Sequence, residues 1–364
     1  MGIFQKKIFD LFPRSFGLDL SDLSIKAVWL DRSGGKDSIA SFGSVSLSSG
    51  SVVDGEILDS QVVQDAVKAL LEKSGPKKLT TRKVICSLPE TKAFLRIVSL
   101  PKMEKEEVKE AIKWEIEANI PLTLDQVYYD WEILELNLTK EKGKMSVLVV
   151  AVARSVVDQF QSVLEGAGLE VIGLETESIA QARSLLPEKN EMSTTLIVDI
   201  GDRRTSFLIA IGSTPCFTSS VPLSSQMVTD SISKSMHLSF DEAEELKIKY
   251  GLGSLALKSP VLKAVEPVLE NMAIEIEKSI DFYLTNLRYS EAIDSIVLCG
   301  GGSNMHGLVP YMSRRLGRPV ESGNPWVNVN LGNVIPLIDR RQSVQYSTAI
   351  GMALRGLDEY EDFA

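Results

Sequence analysis

An apolar strand ending in an aspartate, a short polar turn and a returning apolar strand occur twice in this chain. The first copy, at 16–30, contains Asp19, and the second, at 194–210, contains Asp199. Alternating runs of this kind predict hairpins with buried strands. A carboxylate at the end of a buried strand is costly unless a cation or a hydrogen-bond donor meets it. One such hairpin is as typical of an ordinary loop as of a site, whereas the repetition favours a functional role for both aspartates.

A third element has a different pattern. The apolar run 295–299 enters three consecutive glycines, and a helix is predicted at 308–316. The glycines permit close backbone approach to a ligand, and amides near a helix start favour anions. In this order the two hairpins and the glycine loop resemble the phosphate-1, phosphate-2 and adenosine motifs of the actin/Hsp70/sugar-kinase ATPase superfamily.

That resemblance implies ATP and Mg²⁺ as ligands, with Asp19 and Asp199 ordering water around the metal. The nucleotide-binding residues that it implies are Asp19, Ser21, Ser24, Lys26, Asp199, Gly201, Thr205, Glu244, Lys247, Gly300, Gly301, Gly302, Ser303, Asn304 and Met305. Ser21 stands where much of the superfamily has glycine, which predicts a weaker or water-mediated phosphate contact. Nucleotide binding is therefore favoured over hydrolysis.

For each of two pairs of charged residues, the sequence allows both a structural and a functional role. Glu175 and Glu177 begin a predicted helix, where they either complement the helix dipole or position a catalytic water. Glu244 and Lys247 are three residues apart and form either a plain surface ion pair or a contact to the ribose.

Composition limits the remaining classes. The 364 residues suggest two domains, and the net charge of −10 argues against a nucleic-acid partner. No secretory leader or membrane-spanning run is predicted. Widely spaced Cys86, Cys216 and Cys299 are expected to be buried thiols in a reducing compartment, and His237 and His306 to be structural or surface residues. Residues 1–12 combine an apolar face with lysines, typical of a membrane-surface contact or of a tail packed on its own domain.

Residues 94–153 differ from both flanks, because they lack a glycine-rich ligand loop. A strand at 94–101, a charged helix at 104–119, strands at 127–136 and 145–153, and a helix at 155–166 capped by Ser155 are predicted. This unit is interpreted as an insert whose exposed sheet edges suit a protein partner.

Several runs in and around the insert resemble the family of type IV pilus assembly protein PilM, relatives of the division protein FtsA. They are LPKM at 100–103, IKWEIE at 112–117, IPL at 120–122, YDWEIL at 129–134, VVAVA at 149–153 and AGL at 167–169. The resemblance covers essentially the whole chain. It implies an α/β, two-domain actin-like fold with an inserted 1C-type subdomain. The expected parts are 1–88 with 173–190 and 341–364 as domain 1, 89–172 as the insert, and 191–340 as domain 2.

The implied function is an ATP-binding scaffold of the pilus assembly complex at the cytoplasmic face of the inner membrane. The family implies docking of the cytoplasmic N-terminal tail of PilN in a groove between the first domain and the insert. Other pilus components, self-association and a peripheral membrane position through the partner are expected as well. Ile97, Val98 and Ile112 are candidate groove residues, although all three are also expected in the core. Deleting 89–172 is expected to abolish peptide binding while weak ATP binding persists.

Two alternatives stay open. A small-molecule kinase of the superfamily would need a catalytic carboxylate beside a polar substrate pocket, for which no segment stands out. An FtsA-like protein is expected to end in a basic amphipathic helix, whereas residues 358–364 of this chain are acidic.

Overall fold

The structure is a computed structural model that describes residues 15–33, 35–134, 138, 142–188, 193–253, 260–286, 292–332 and 337–362. Residues 1–12, with their two interpretations, lie outside the described residues. The end of the strand predicted at 127–136 also lies outside them. The same holds for the side chains of the acidic stretch after Leu357. No helix among the described residues is long and apolar enough to cross a membrane.

The first domain is built on a sheet with one central hairpin. Its strands are β1 (Phe16–Leu20), β2 (Ser24–Ser33), β3 (Lys36–Ser46), β6 (Gly75–Pro76), β7 (Lys83–Leu88) and β11 (Glu170–Thr176). They lie in the order β11-β7-β1-β2-β3-β6, and the small hairpin β4 (Val52–Val53) and β5 (Glu56–Ile57) stands apart. β1 is antiparallel to β2 and parallel to β7.

The second domain repeats this topology. Its strands are β12 (Thr194–Ile200), β13 (Thr205–Ile211), β14 (Thr214–Val221), β15 (Ser295–Cys299) and β16 (Val320–Ser322), in the order β14-β13-β12-β15-β16. β12 is antiparallel to β13 and parallel to β15, as β1 is to β2 and β7. Asp19 and Asp199 therefore occupy equivalent positions near the carboxyl ends of the two central strands.

Helices cover both sheets and join them. The first domain carries α1 (Ser60–Lys73), α3 (Arg154–Gly166), α4 (Glu177–Leu185) and α10 (Ser347–Asp362). The second carries α5 (Ser225–Met236), α6 (Phe240–Tyr250), α7 (Pro260–Asn286), α8 (Leu308–Leu316) and the short α9 (Arg340–Ser343). A Cβ at Gly351 would collide with the Ala180 carbonyl oxygen, so α10 and α4 cross in backbone contact. The small residues of α10 thus permit this close crossing.

Two predicted helix starts were wrong. α3 begins at Arg154 with Ala153 as its N-cap, which places Ser155 inside the first turn, where its hydroxyl does not cap the helix. Glu175 lies in β11, paired with Ser87, and α4 begins only at Glu177. In both places a strand leads directly into a helix, which leaves no polar loop to mark the boundary.

The insert is a three-stranded sheet with one helix among the described residues. It comprises β8 (Ala93–Pro101), α2 (Lys105–Asn119), β9 (Val127–Ile133) and β10 (Lys144–Ala153), and β10 lies between the other two strands. One face packs on α2 around Val108, Ile112 and Ile116. The other face contributes Leu95, Ile97 and Leu148 to the core of the second domain.

The packing favours a narrower insert than 89–172. Phe160, Val163 and Leu164 of α3 are buried in the core of the first domain, and β11 pairs with β7. We therefore propose 93–153 as the insert. Deleting 89–172 would remove α3 from the first core and the first three residues of β11 from its sheet, so single substitutions test the groove better.

Candidate functional site

Asp19 and Asp199 line the same cleft between the two domains. Lys26, which is paired across the β1–β2 hairpin, places its Nζ 3.6 Å from Asp19 Oδ2 and donates a hydrogen bond to Ser24 Oγ at 2.9 Å. The Ser21 hydroxyl donates to the Ser24 carbonyl at 2.9 Å and closes the turn. The structure thus brings the four first-hairpin candidates together at one end of the cleft.

Gln181 of α4 fixes the second aspartate. Its Nε2 donates both to Asp199 Oδ2 and to Thr348 Oγ1 of α10, the latter at 3.2 Å. Burial and the nearby Asp19 raise the pKa of Asp199 to about 6. Gln181 was not identified from the sequence, because nothing marks a glutamine inside an amphipathic helix as functional.

Two further carboxyl groups lie at this end of the cleft. Glu177, in the first turn of α4, lines the cleft, and burial together with Asp19, Asp199 and Glu90 raises its pKa well above the usual value. Glu90 is 7 % exposed, its Oε2 accepts a hydrogen bond from the Ser178 amide at 3.3 Å, and burial raises its pKa. Glu90 lies in a short turn without a recognisable sequence motif, so it was not identified as a site residue from the sequence.

This donor set fits a divalent cation held indirectly. Asp19, Asp199 and Glu177 line the cleft together with Lys26, and Mg²⁺ prefers oxygen ligands while keeping several waters. Among the described residues, no three histidine, cysteine or carboxylate side chains are placed to hold a metal ion together. The expectation that Asp19 and Asp199 order Mg²⁺ through water stays a prediction.

The glycine loop closes against the second aspartate. Gly300 has a φ of +80°, and a Cβ there would collide with the Asp199 carboxylate. A Cβ at Gly302 would lie 2.5 Å from Ile200 Cγ2, and one at Gly201 would lie 2.9 Å from the Arg204 carbonyl oxygen. A Cβ at Gly301 meets no atom within 4 Å, and Gly301 lines the cleft. Gly301 is therefore the position where a side chain enters the cleft without disturbing the fold.

Three predicted residues are engaged elsewhere. Thr205 is buried and donates its hydroxyl to the Leu223 carbonyl at 2.8 Å, which leaves it outside the cleft. Glu175 accepts hydrogen bonds from both terminal nitrogens of Arg183, at 2.7 and 2.6 Å, and lines a different cavity. The Ser303 hydroxyl donates to the Gly300 carbonyl at 2.8 Å and thereby stabilises the glycine loop. The geometry supports a structural role for each.

Glu244 and Lys247 form an ion pair beside the glycine loop, in which Lys247 is buried while the Glu244 side chain is 35 % exposed. Lys247 Nζ lies 2.7 Å from Glu244 Oε2 and donates to Ser225 Oγ at 2.7 Å and Thr229 Oγ1 at 2.9 Å. Lys247 faces Gly302 and Met305 across a gap of about 10 Å³, roughly the space of one water. A nucleoside here would have to separate α6 from the glycine loop.

The other singled-out residues are structural. Asn304 presents its carbonyl to Arg341 Nη2 at 2.8 Å. All three cysteines are free and buried, as predicted. His237 ends α5 in the left-handed conformation, and His306 is exposed.

A second cavity, the groove, lies where two sheet edges face each other. β9 is an edge strand of the insert and β11 is an edge strand of the first sheet. Residues 128–132 and 174–176 line the groove consecutively, and its volume is about 560 Å³. Its floor is apolar, formed by Leu88, Leu148, Val150, Val152 and Ile179.

Tyr128 stands at the rim of the groove in a fixed orientation. Its ring lies 4.1 Å from the Arg154 guanidinium carbon, and its hydroxyl is 3.2 Å from Asp158 Oδ1. The prediction that Ile97, Val98 and Ile112 line the groove was wrong. Val98 and Ile112 are buried between the insert sheet and α2, and Ile97 is buried against the second domain.

The raised pKa of Asp199 predicts a pH-dependent stability. The native carboxyl holds its proton up to a pKa of about 6, against 3.8 in an unperturbed aspartate. The stability that it contributes is therefore present at low pH and lost as the pH rises through about 6. We expect Asp199→Asn to reduce the fall in Tm of the ligand-free chain between pH 5 and pH 7.5 by about 2 °C, measured by calorimetry. An identical fall in both proteins would contradict the assignment.

The duplicated sheets and the cleft between their aspartates define the class, an actin-like ATPase fold. MreB5 of Spiroplasma citri, solved with ADP bound, has this fold: it is 15 % identical, with a TM-score of 0.55, over 96 % of this chain and 97 % of that one. Residues 17–357 match the family of type IV pilus assembly protein PilM, and the chain belongs to that family. The family and the fold class expected from the sequence are thereby confirmed.

Two relatives show the extent of the likeness. The chain is 27 % identical to a protein solved as a PilM-PilN type IV pilus biogenesis complex, with a TM-score of 0.78, over 95 % of this chain and 99 % of that one. It is 27 % identical over 249 residues to the cell division protein FtsA of Pseudomonas aeruginosa. That alignment spans 64 % of this chain and only 58 % of FtsA.

Proposed function

We propose that this chain is a nucleotide-binding scaffold of type IV pilus assembly that holds the cytoplasmic N-terminal tail of PilN in the groove. The scaffold would be positioned at the cytoplasmic face of the inner membrane through that partner. The observation that carries the proposal is the groove between two open sheet edges, in a family member whose solved relative was complexed with PilN.

The open edge of β9 suits an extended peptide. The Leu134 amide donates to the Ser146 carbonyl at 2.9 Å, toward β10, and backbone groups alternate in direction along an antiparallel strand. The amides of Tyr129, Trp131 and Ile133 therefore point to the open side. In agreement, the Trp131 amide donates to the Asp130 side chain at 2.8 Å. A peptide strand would pair with this edge and place alternate side chains on the apolar floor.

The cleft supports Mg·ATP as the second ligand. Lys26, the Ser21–Ser24 turn and the glycine loop would hold phosphates, and the two aspartates would order the metal's waters. Bound Mg²⁺ supplies positive charge that neutralises both the carboxylates and the phosphates. With Glu175 paired to Arg183, Glu177 is the remaining sequence-identified candidate for orienting a water, and binding is better supported than hydrolysis.

The kinase alternative is disfavoured by the contacts beside the phosphate end. Arg203 Nη2 donates to Ser49 Oγ at 2.7 Å, and Arg204 Nη1 lies 3.2 Å from Asp54 Oδ1. These contacts between the domains border a polar cavity of only about 110 Å³, well below the usual size of a small-molecule pocket. Phosphoryl transfer to any sugar or small acid in a coupled assay would overturn this conclusion.

The glycine loop offers a direct test of the nucleotide site. We expect Gly301→Val to lower the affinity for Mg·ATP at least about tenfold without changing Tm, because its side chain enters the cleft and meets nothing else. Gly300→Ala should instead destabilise the fold by at least about 2 kcal/mol, because its Cβ meets Asp199 and its φ is positive. Fluorescent-ATP titration and thermal unfolding separate the two effects. Unchanged affinity in Gly301→Val would place the nucleotide elsewhere.

The peptide site is tested by titrating the N-terminal peptide of PilN from the same organism into the chain by calorimetry. Saturable one-to-one binding supports the proposal. If millimolar PilN peptide produces no heat of binding, the groove is not the docking site of that peptide.

A further inference from the structure

Two polar contacts join the domains beside the phosphate end of the cleft. They connect loop 48–55 of the first domain to the turn between β12 and β13 of the second. Arg204 Nη1 lies 3.2 Å from Asp54 Oδ1, and Arg203 Nη2 donates a hydrogen bond to Ser49 Oγ at 2.7 Å. Neither contact can persist when the two domains move apart at this end.

The first-domain side of these contacts is held in a fixed conformation. The two carboxylate oxygens of Asp22 accept hydrogen bonds from the amides of Asp54 and Gly55, each at 3.0 Å. The Thr91 hydroxyl donates to the Asp54 carbonyl at 3.1 Å. Asp54 has a φ of +50°, a left-handed conformation that is uncommon outside glycine and that persists where the surrounding structure fixes it. The loop therefore presents the Asp54 carboxylate to the second domain in a defined position.

The second-domain side is fixed as well. Arg204 Nε donates to Ser220 Oγ at 3.0 Å, and Arg204 Nη2 donates to the Ser220 carbonyl at 3.3 Å. The Gly201 amide donates to the Arg204 carbonyl at 2.9 Å and closes the turn. The Arg204 guanidinium therefore moves together with the hairpin that carries Asp199. Asp22 lies in the turn of the first hairpin, so the contacts link the two turns that are expected to hold phosphates.

From these contacts we infer that Ser49, Asp54, Arg203 and Arg204 form a latch that controls how fast the nucleotide enters and leaves the cleft. The inference rests on the proposed function and adds a kinetic control of that site. The residues expected to hold the phosphates come from both domains, so a nucleotide passes only when the two turns separate, and their separation breaks the latch. None of the four latch residues is among those expected to contact the nucleotide. Weakening the latch should therefore change the rates of passage rather than the affinity.

The exposure of the ion pair suits a kinetic role. The side chains of Asp54 and Arg204 are 62 % and 28 % exposed. Ion pairs that water reaches contribute little to the stability of a protein, so breaking this one should leave Tm unchanged. A small loss of closing free energy still makes the open form more populated, and the nucleotide passes through that form.

The test measures the association and dissociation rate constants of fluorescent Mg·ATP on the full chain by stopped flow. Asp54→Asn keeps the shape of the side chain and its tolerance of the left-handed conformation but removes the charge. We expect both rate constants to rise about threefold and their ratio, the Kd, to stay unchanged. Ser49→Ala removes the second contact and should act in the same direction. The double variant Asp54→Asn/Arg204→Gln should be no faster than the faster of its two single variants, because both changes remove the same interaction.

Glu56→Gln is the matched control. The Glu56 side chain is 60 % exposed, and its Oε2 lies 3.7 Å from Lys92 Nζ, in an ion pair whose two members belong to the first domain. This variant should leave both rate constants unchanged, and calorimetric Tm values check that all variants fold.

Two results would overturn the latch and leave nucleotide binding intact. In the first, Asp54→Asn and Ser49→Ala exchange the nucleotide at unchanged rates, or Glu56→Gln accelerates the exchange equally. In the second, Asp54→Asn raises the Kd while the association rate constant stays unchanged, which would make Asp54 a direct contact of the nucleotide. If the unchanged chain does not bind Mg·ATP, the latch and the proposed nucleotide site are both overturned.

Discussion

Replacing Asp199 by asparagine is expected to lower the affinity for Mg·ATP at least about tenfold, equivalent to about 1.4 kcal/mol. The substitution keeps the shape of the side chain and its contact with Gln181 but removes the charge that orders water around the metal. The ligand-free chain should become no less stable, because one member of a crowded carboxylate cluster is neutralised. Fluorescent-ATP titration at several Mg²⁺ concentrations, with thermal unfolding beside it, measures both quantities.

The matched control is Asp230→Asn, the same substitution on an exposed position of α5. It should leave ATP affinity unchanged. If both variants bind Mg·ATP as the unchanged chain does, Asp199 does not belong to the site. If Asp199→Asn also loses stability, its carboxylate has a structural role that this account does not include.

Replacing Tyr128 by alanine is expected to weaken binding of the PilN N-terminal peptide at least about tenfold. Tyr128 is 43 % exposed at the groove rim. Its contacts with Arg154 and Asp158 fix the orientation of the ring before a ligand binds. A pre-oriented aromatic side chain loses little entropy on binding, which is why such residues contribute strongly to interfaces. The measurement is calorimetric titration of the peptide.

Trp114→Ala is the matched control. Trp114 is the more exposed aromatic side chain of the same insert, at 73 %, and it lies on α2 outside the groove. We expect peptide affinity to be unaffected by this change. A loss in Trp114→Ala together with full affinity in Tyr128→Ala would move the docking surface to the α2 face.

Much of the fold could be predicted because its segments carry clear periodicities. α8 has the predicted bounds, and the Asp19 and Asp199 hairpins lie where the repeated pattern places them. The family resemblance supplied the arrangement of the domains, which periodicity alone does not determine. β14 and β16 were missed, since β14 is half exposed and β16 is only three residues long.

The candidate site was predicted less completely, because its geometry depends on long-range packing. Gln181 reaches the cleft only because α4 packs against β12 and α10. Glu90 is placed only by the turn that leads into the insert. Thr205 has the right residue type at the right spacing, yet its hydroxyl satisfies a buried carbonyl. The groove residues were misassigned since the apolar character of a residue in a strand or a helix does not tell which hydrophobic core that residue joins.

The central claim is that PilN docks between the open edges of β9 and β11. Hydrogen–deuterium exchange of the full chain, with and without the PilN N-terminal peptide, tests it directly. With the peptide bound, we expect slower hydrogen exchange at the outward-facing amides of Tyr129, Trp131 and Ile133 and at the amides of 174–176. The exchange rates of the α2 amides should not change. Saturating peptide that protects none of these amides, or protects α2 instead, would contradict it.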